Sequence, residues 1–183
     1  MSFIRFCKHF YLTNFSKPES DRAIYRSIKK NKQVRSIVEI GISDLNRTQR
    51  MLRLALDLAG EDEDVSYTGV DMFEGRESGD GVSLKETHRE LNGPGRKIKL
   101  LPGDPYSALA RGTNAMQNSD LLLISSDVDS DSLDRAWFYV PRMMHDSTMV
   151  FIEVAGEDVV LEHLSQADVD AICKSQDSAR RAA

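Results

Sequence analysis

"SIVEIGISDLNRTQRMLRLAL", Ser36 to Leu56, is the stretch that decides the fold. Ile37, Val38, Glu39 and Ile40 form a short apolar run with the character of a buried strand, and the run stops at Gly41. A helical pattern follows, with Met51, Leu52, Leu54, Ala55, Leu56 and Leu58 on a broad apolar stripe. Asp44 or Asn46 is placed to cap that helix, and Gly60 to end it. Strand, glycine turn and helix are the opening unit of a nucleotide-binding α/β domain. A pyrophosphate loop needs the three glycines of G-x-G-x-x-G, however, and only the first is present.

The same alternation runs on along the chain. "SYTGVDMF" is a second strand ending near Asp71, "RKIKLLPGD" a third, "SDLLLIS" a fourth and "STMVFIEV" a fifth. Between them "SLKETHREL", "DPYSALARG" and "SDSLDRAWFYVPRMM" read as helices, the last with an interrupting Pro141. "EDEDV" is an acidic turn, and "EGRESGDGV" a long exposed loop. Residues 1–33 form a helical extension in which Ser20-Asp21 caps a helix carrying Ile24 and Ile28 on one face. After the fifth strand, "GEDVVLEHLSQADVDAICKSQDSARRAA" reads as one or two helices and a polar tail. Short continuous apolar strands separated by helices predict a doubly wound, mostly parallel, Rossmann-like α/β sheet over residues 34–183.

Composition narrows the function. The chain has 183 residues, 40% hydrophobic and 29% charged, with a net charge of -5. A pI near 5.4 gives no global attraction for nucleic acid, and no apolar run is long enough to span a bilayer. Cys7 and Cys173 match no metal or redox spacing and read as free thiols, so a cytoplasmic protein without membrane or nucleic-acid partners is expected. "DVDSDSLD" alternates acids like a calcium loop, but Ser132 and Phe138 stand where an EF-hand needs glycine and glutamate. The four histidines have no metal spacing, and there is no G-x-S-x-G elbow.

In an open parallel sheet, ligands bind beyond the carboxyl ends of the strands, where the strand order reverses. That rule selects Gly41–Asn46, Asp71–Glu74, Gly103–Pro105, Ser125–Asp129 and the segment from Glu153. Acids recur at these ends; they suit hydroxyl and amino groups and repel phosphates, which argues against a dinucleotide oxidoreductase. Asp71 stands where nucleoside binders place an acid for ribose hydroxyls, or else it caps its loop. Asp104 is either an acceptor for an adenine amino group or the N-cap of the next helix.

Taken together, "IVEIG", "YTGVDMFE", "IKLLPGDPYSALA" and "DLLLISSDVDSDSLDRAWFYV" resemble the class I S-adenosylmethionine-dependent methyltransferases. The similarity spans Val34 to Val154 and is strongest to the subgroup whose fourth strand reads I-D-G-D-H. It implies S-adenosylmethionine as cofactor. Glu39, Gly41 and Ser43 would lie at its methionine end, Asp71 at the ribose, Met72 and Asp104 at the adenine, and Ser125 beside it after strand four.

The departures from that pattern are specific. Ser43 replaces the second glycine of the first turn. I-D-G-D-H becomes Ile124-Ser125-Ser126-Asp127-Val128, which removes the acid that ligates a metal in the metal-dependent members, so no metal is expected. That family ends with a sixth strand and an antiparallel seventh, for which no clear pair of runs is visible. Two readings follow. One is a methyltransferase acting on a small-molecule hydroxyl or amine, with no assigned catalytic residue beyond His88 as a candidate base. The other is a methyltransferase-like binding or assembly module that has lost its cofactor. Either is compatible with a homo-oligomer that covers an open sheet edge.

Overall fold

The computed structural model describes residues 3–60, 63–76, 81–156 and 159–182. Parts of the expected acidic turn (residues 61–62) and of the expected exposed loop (residues 77–80) lie outside the described residues. In chain order the elements are α1 (Phe3–Phe15), α2 (Asp21–Lys30), β1 (Ser36–Ile40), α3 (Leu45–Ala59), β2 (Val65–Asp71), α4 (Leu84–Leu91) and β3 (Arg96–Pro102). They continue with α5 (Pro105–Gly112), β4 (Leu121–Ile124), α6 (Ser130–Ala136), α7 (Val140–Met143), β5 (Met149–Val154), β6 (Val160–Leu164) and α8 (Gln166–Ala182).

All six strands form one sheet in the order β3-β2-β1-β4-β5-β6. The first five are parallel, as the apolar, doubly covered runs of β1, β2 and β4 require, with β3 a half-exposed edge strand, and β6 pairs antiparallel with β5. Strand order reverses between β1 and β4. There the Ser125 N–H donates to the Ile40 carbonyl at 2.8 Å, carrying the ladder one residue past the strands.

Two apolar clusters cover the two faces. One packs α2 and α3 on the sheet through Ile24, Tyr25, Ile28, Met51, Leu52 and Leu54. The other packs α5, α6, α7 and α8 through residues such as Leu109, Ala136, Val140 and Val169. Ile24 and Ile28, four residues apart, are both fully buried, as their spacing predicts. The helix that carries them is therefore part of the core, although the chain preceding β1 reads in sequence as an extension.

Three local readings need correction. Ser20 makes no side-chain cap; its own backbone is helical, so its hydroxyl is not presented to the first turn of α2. The run from Ser130 to Met143 is not one helix. It breaks into α6, a 3-10 turn over Trp137–Tyr139 and α7, with Pro141 at the start of α7, where its missing N–H costs nothing. Residues 160–164, expected as helix, are β6. Leu161 and Leu164 tuck against opposite apolar clusters while Val160, Glu162 and His163 stay exposed, so the edge of the sheet imposes a strand on an ambiguous five-residue run.

Candidate functional site

Every segment selected by the strand-end rule meets at the carboxyl edge of the sheet. Asp44, the first of the two capping choices, accepts from the Asn46 N–H at 2.8 Å and starts α3 directly after the β1 turn. Gly41 has φ +82°, a backbone state that costs a side-chain-bearing residue free energy. A Cβ there would also lie 2.6 Å from Val128 Cγ1 and 2.8 Å from Ser125 Cβ. The requirement for glycine is thus met within the chain, because residues following β4 press on the turn following β1.

Two cavities flank this contact. The first, about 670 Å³, lies over the ends of β2, β3 and β4; Asp71, Met72, Arg76, Asp104, Asp127 and Ser132 are among its walls. The second, about 550 Å³, lies between α2, the β1 turn and β5, with Asp21, Ser43, Arg47, Asp127 and Glu153 among its walls. Asp127 borders both, and Val128 belongs to the first.

In the first cavity Asp71 ends β2 and its side chain is almost wholly buried. Oδ2 accepts from the Ile42 N–H at 2.7 Å, and Oδ1 from the Phe73 N–H at 2.7 Å. The Arg76 guanidinium then adds Nη2 to Oδ2 at 2.5 Å and Nε to Oδ1 at 3.1 Å. The carboxylate ties the β1 turn to the β2 turn, and its outward lone pairs are held by arginine. Met72 is exposed at the rim beside it.

Asp104 is the N-cap of α5: its Oδ1 accepts from the Ser107 N–H at 3.0 Å and from the Ser132 hydroxyl at 2.5 Å. Burial disfavours its charge, but the Ser107 and Ser132 hydrogen bonds prevail and hold the carboxyl at about 2. Ser125 is buried, with its Oγ accepting from the Asp127 N–H at 3.2 Å.

The second cavity is organised by a residue whose partners sequence reasoning did not foresee. Arg47, buried on the first turn of α3, contacts three carboxylates: a close hydrogen bond to Glu153 Oε1, Nη2 to Glu39 Oε1 at 3.2 Å, and Nη1 to Asp21 Oδ1 at 3.9 Å. Nη2 also donates to the Ser43 hydroxyl at 2.8 Å. Glu39 Oε2 accepts from the Thr48 and Tyr67 hydroxyls, each at 2.7 Å. Glu39 is therefore fully buried and bound on both oxygens, and it lines neither cavity. Burial pushes its pKa up, against the pull of Arg47, Thr48 and Tyr67. Burial likewise raises Asp21 to about 6, with Arg47 opposing and the charge of Asp44 adding.

One arginine facing three acids in low dielectric is an arrangement that favours positive charge nearby. Its only signal in sequence was Arg47 itself, a charged residue inside an apolar helical stripe. Glu153 is 106 residues away, and nothing local announces the pair.

His88 stands exposed on α4 and lines neither cavity, and His145 pairs with Asp120 at the opposite edge of the sheet. Among the described residues no group of three or more His, Cys, Asp or Glu is arranged to hold a metal ion. None of the described helices is long and apolar enough to cross a membrane.

Neither a protein-family model nor a curated protein matches the sequence. Solved structures do match in shape. A TehB-like S-adenosylmethionine-dependent methyltransferase from Corynebacterium glutamicum aligns over 94% of this chain and 81% of its own, at TM-score 0.50 and 9% identity. A methyltransferase from Archaeoglobus fulgidus covers 96% and 74%, at TM-score 0.49 and 15% identity. MycE, a methyltransferase of mycinamycin biosynthesis solved with magnesium and S-adenosylhomocysteine, covers 84% of this chain at TM-score 0.48 and 13% identity. The chain spans only 34% of MycE. At 9% identity the first of these carries the architecture and not the chemistry: the chain has a Rossmann-like α/β fold of the methyltransferase type.

Proposed function

We propose that the protein is an S-adenosylmethionine-dependent methyltransferase acting on a small-molecule hydroxyl or amine. The observation that carries this reading is the 670 Å³ cavity beyond β2, β3 and β4, whose walls bring Asp71, Met72 and Asp104 together beside the strand-order reversal. When bound, the cofactor supplies an electrophilic methyl group.

The residues present fit its two halves unequally. The adenosyl half suits the first cavity: Asp71 would accept ribose hydroxyls once Arg76 moves aside, and Met72 offers an apolar, polarisable face to a base. The methionine half would have to reach Gly41, and Val128 and Ser125 already fill that approach. Ser43 and Asp44 remain beside the second cavity, where backbone N–H groups at the start of α3 suit a carboxylate. Acids around that cavity favour an amine as the acceptor.

Calorimetric titration with S-adenosylmethionine and S-adenosylhomocysteine tests the reading. Binding in the micromolar range or weaker is expected, about -8 kcal/mol or less favourable. Asp71→Ala should weaken it by about 1–3 kcal/mol, since ribose hydroxyls would lose their acceptor.

A second reading, a module that keeps the fold without the cofactor, is favoured by the saturation of Asp71 and the covered face of Gly41. Flat titrations of wild type and Asp71→Ala at millimolar cofactor would establish that reading and end the first.

A further inference from the structure

α1 is turned inside out. Its two buried residues are polar: His9, whose Nε2 lies 3.2 Å from Asp57 Oδ2, and Thr13, whose carbonyl accepts from Arg26 Nε at 2.8 Å. Phe3, Ile4, Phe6, Phe10, Tyr11 and Phe15 are 49–80% exposed. At 100° per residue they sweep roughly half the helix circumference, opposite the buried stripe. Their rings lean on one another, Phe6 on Phe10 and Tyr11 on Phe15, with centroids 6.5 Å apart in each pair. A helix that only needed to cover its own domain would bury such an arc instead of displaying it.

Cations stand on both banks of this ridge. Lys8, Arg50 and Arg53 border the apolar groove beside Phe3 and Ile4, while Arg26, Lys29 and Lys30 border the hollow beside Phe10. Residues 1–35 hold nine Lys or Arg and two Asp or Glu, a net +7, so the rest of the chain carries -12 to give the total of -5. Six of the chain's cations, Lys8, Arg26, Lys29, Lys30, Arg50 and Arg53, thus border the exposed aromatic arc, with Asp57 the one acid lining the same hollows.

We propose that α1 lies on an anionic lipid surface, its aromatic ridge in the headgroup region and the flanking lysines and arginines on lipid phosphates. Lying on a bilayer needs no spanning segment, so this is compatible with the absence of a spanning helix among the described residues. A second copy fits less well, because pairing two such ridges would set their flanking lysines and arginines face to face. Nucleic acid fits less well too, since the cations flank the rings instead of interleaving with them, and the rings already occupy one another's faces.

The full chain should be sedimented with vesicles of phosphatidylcholine, and of phosphatidylcholine and phosphatidylglycerol in equal parts, over a range of salt. Parallel runs use poly-uridylate, and ultracentrifugation without lipid. Binding to the anionic vesicles should be at least tenfold tighter than to the neutral ones, and should weaken with salt. Lys29→Glu with Lys30→Glu should weaken it more than tenfold, at about fivefold for each lysine lost. Phe6→Ser with Phe10→Ser should abolish it while leaving the thermal midpoint unchanged, because both rings are exposed. No vesicle binding, equal binding to both vesicle types, or binding that survives the phenylalanine pair overturns the proposal. So does a concentration-dependent dimer, or poly-uridylate binding, in a chain that ignores lipid.

Discussion

Gly41 and Asp21 show how single side chains are constrained at this edge of the sheet. Gly41→Ala places a Cβ against Val128 and Ser125 on a left-handed backbone. The backbone strain costs about 1–3 kcal/mol and the crowding a similar amount. Urea denaturation should show that loss, and Val128→Ala in the same chain should recover only the part of the crowding due to Val128, since Ser125 Cβ remains. Asp21 has a folded pKa of about 6, above its ordinary 3.8, chiefly from burial. The folded state thus holds the proton more tightly than the unfolded chain. The stability this gives is present in full below about pH 4, declines as pH rises through about 6, and stays lost above that. The groups facing Asp21 are Arg47 from α3, Asp44 before it, Glu153 from β5 and Tyr25 on its own helix. Asp21→Asn should therefore match wild type near pH 4 and exceed it at pH 7.5 by about 2 kcal/mol. Equal stability of the two at pH 7.5 would show that Arg47 fully compensates the buried charge.

At the scale of elements, Asp104 joins α5 to α6 as well as capping α5, since the Ser132 hydroxyl donates to the same oxygen as the Ser107 N–H. Asp104→Ala should cost about 1–2 kcal/mol in thermal or urea denaturation, whereas Asp104→Asn should keep most of the cap. An alanine variant as stable as wild type would remove the structural role and leave ligand recognition as its use. The central parallel strands were readable because burial on both faces makes each a continuous apolar run, and a run such as Leu121–Ile124 has one good interpretation. β6 was not, because "VLEHL" suits a helix as well as a strand, and the open edge of β5 settles the choice. The helix end left open near Pro141 resolves for a related reason: proline fits the first turn of a new helix better than the middle of an old one.

Across the whole molecule, the five-strand parallel architecture was legible and the wiring of the cavities was not. Strand ends locate a site by geometry alone, so Asp71 and Asp104, which border one cavity, could be singled out from the sequence. That Arg76 would bind Asp71, or Arg47 gather Glu39, Glu153 and Asp21, depends on contacts made only after the chain has folded. The packing of α2 is another such case. α2 contributes Ile24, Tyr25 and Ile28, each fully buried, and about 1.5–3 kcal/mol per side chain makes roughly 5–9 kcal/mol together. That is comparable to the whole stability of an ordinary domain, about 5–15 kcal/mol. A chain lacking residues 1–33 should therefore lose its cooperative thermal transition, while one lacking only residues 1–15 should keep it. Cooperative melting of the shorter chain would restore the view of α2 as an appendage.

The arginine clamped on Asp71 has a consequence in time as well as in space. Five residues of chain hold Arg76 beside its partner, so the carboxylate always has a tethered rival at high effective concentration. Any nucleoside must wait for that rival to let go. The observed association rate should then stop rising at high ligand concentration, levelling at the rate of arginine release, and Arg76→Ala should return it to a straight line.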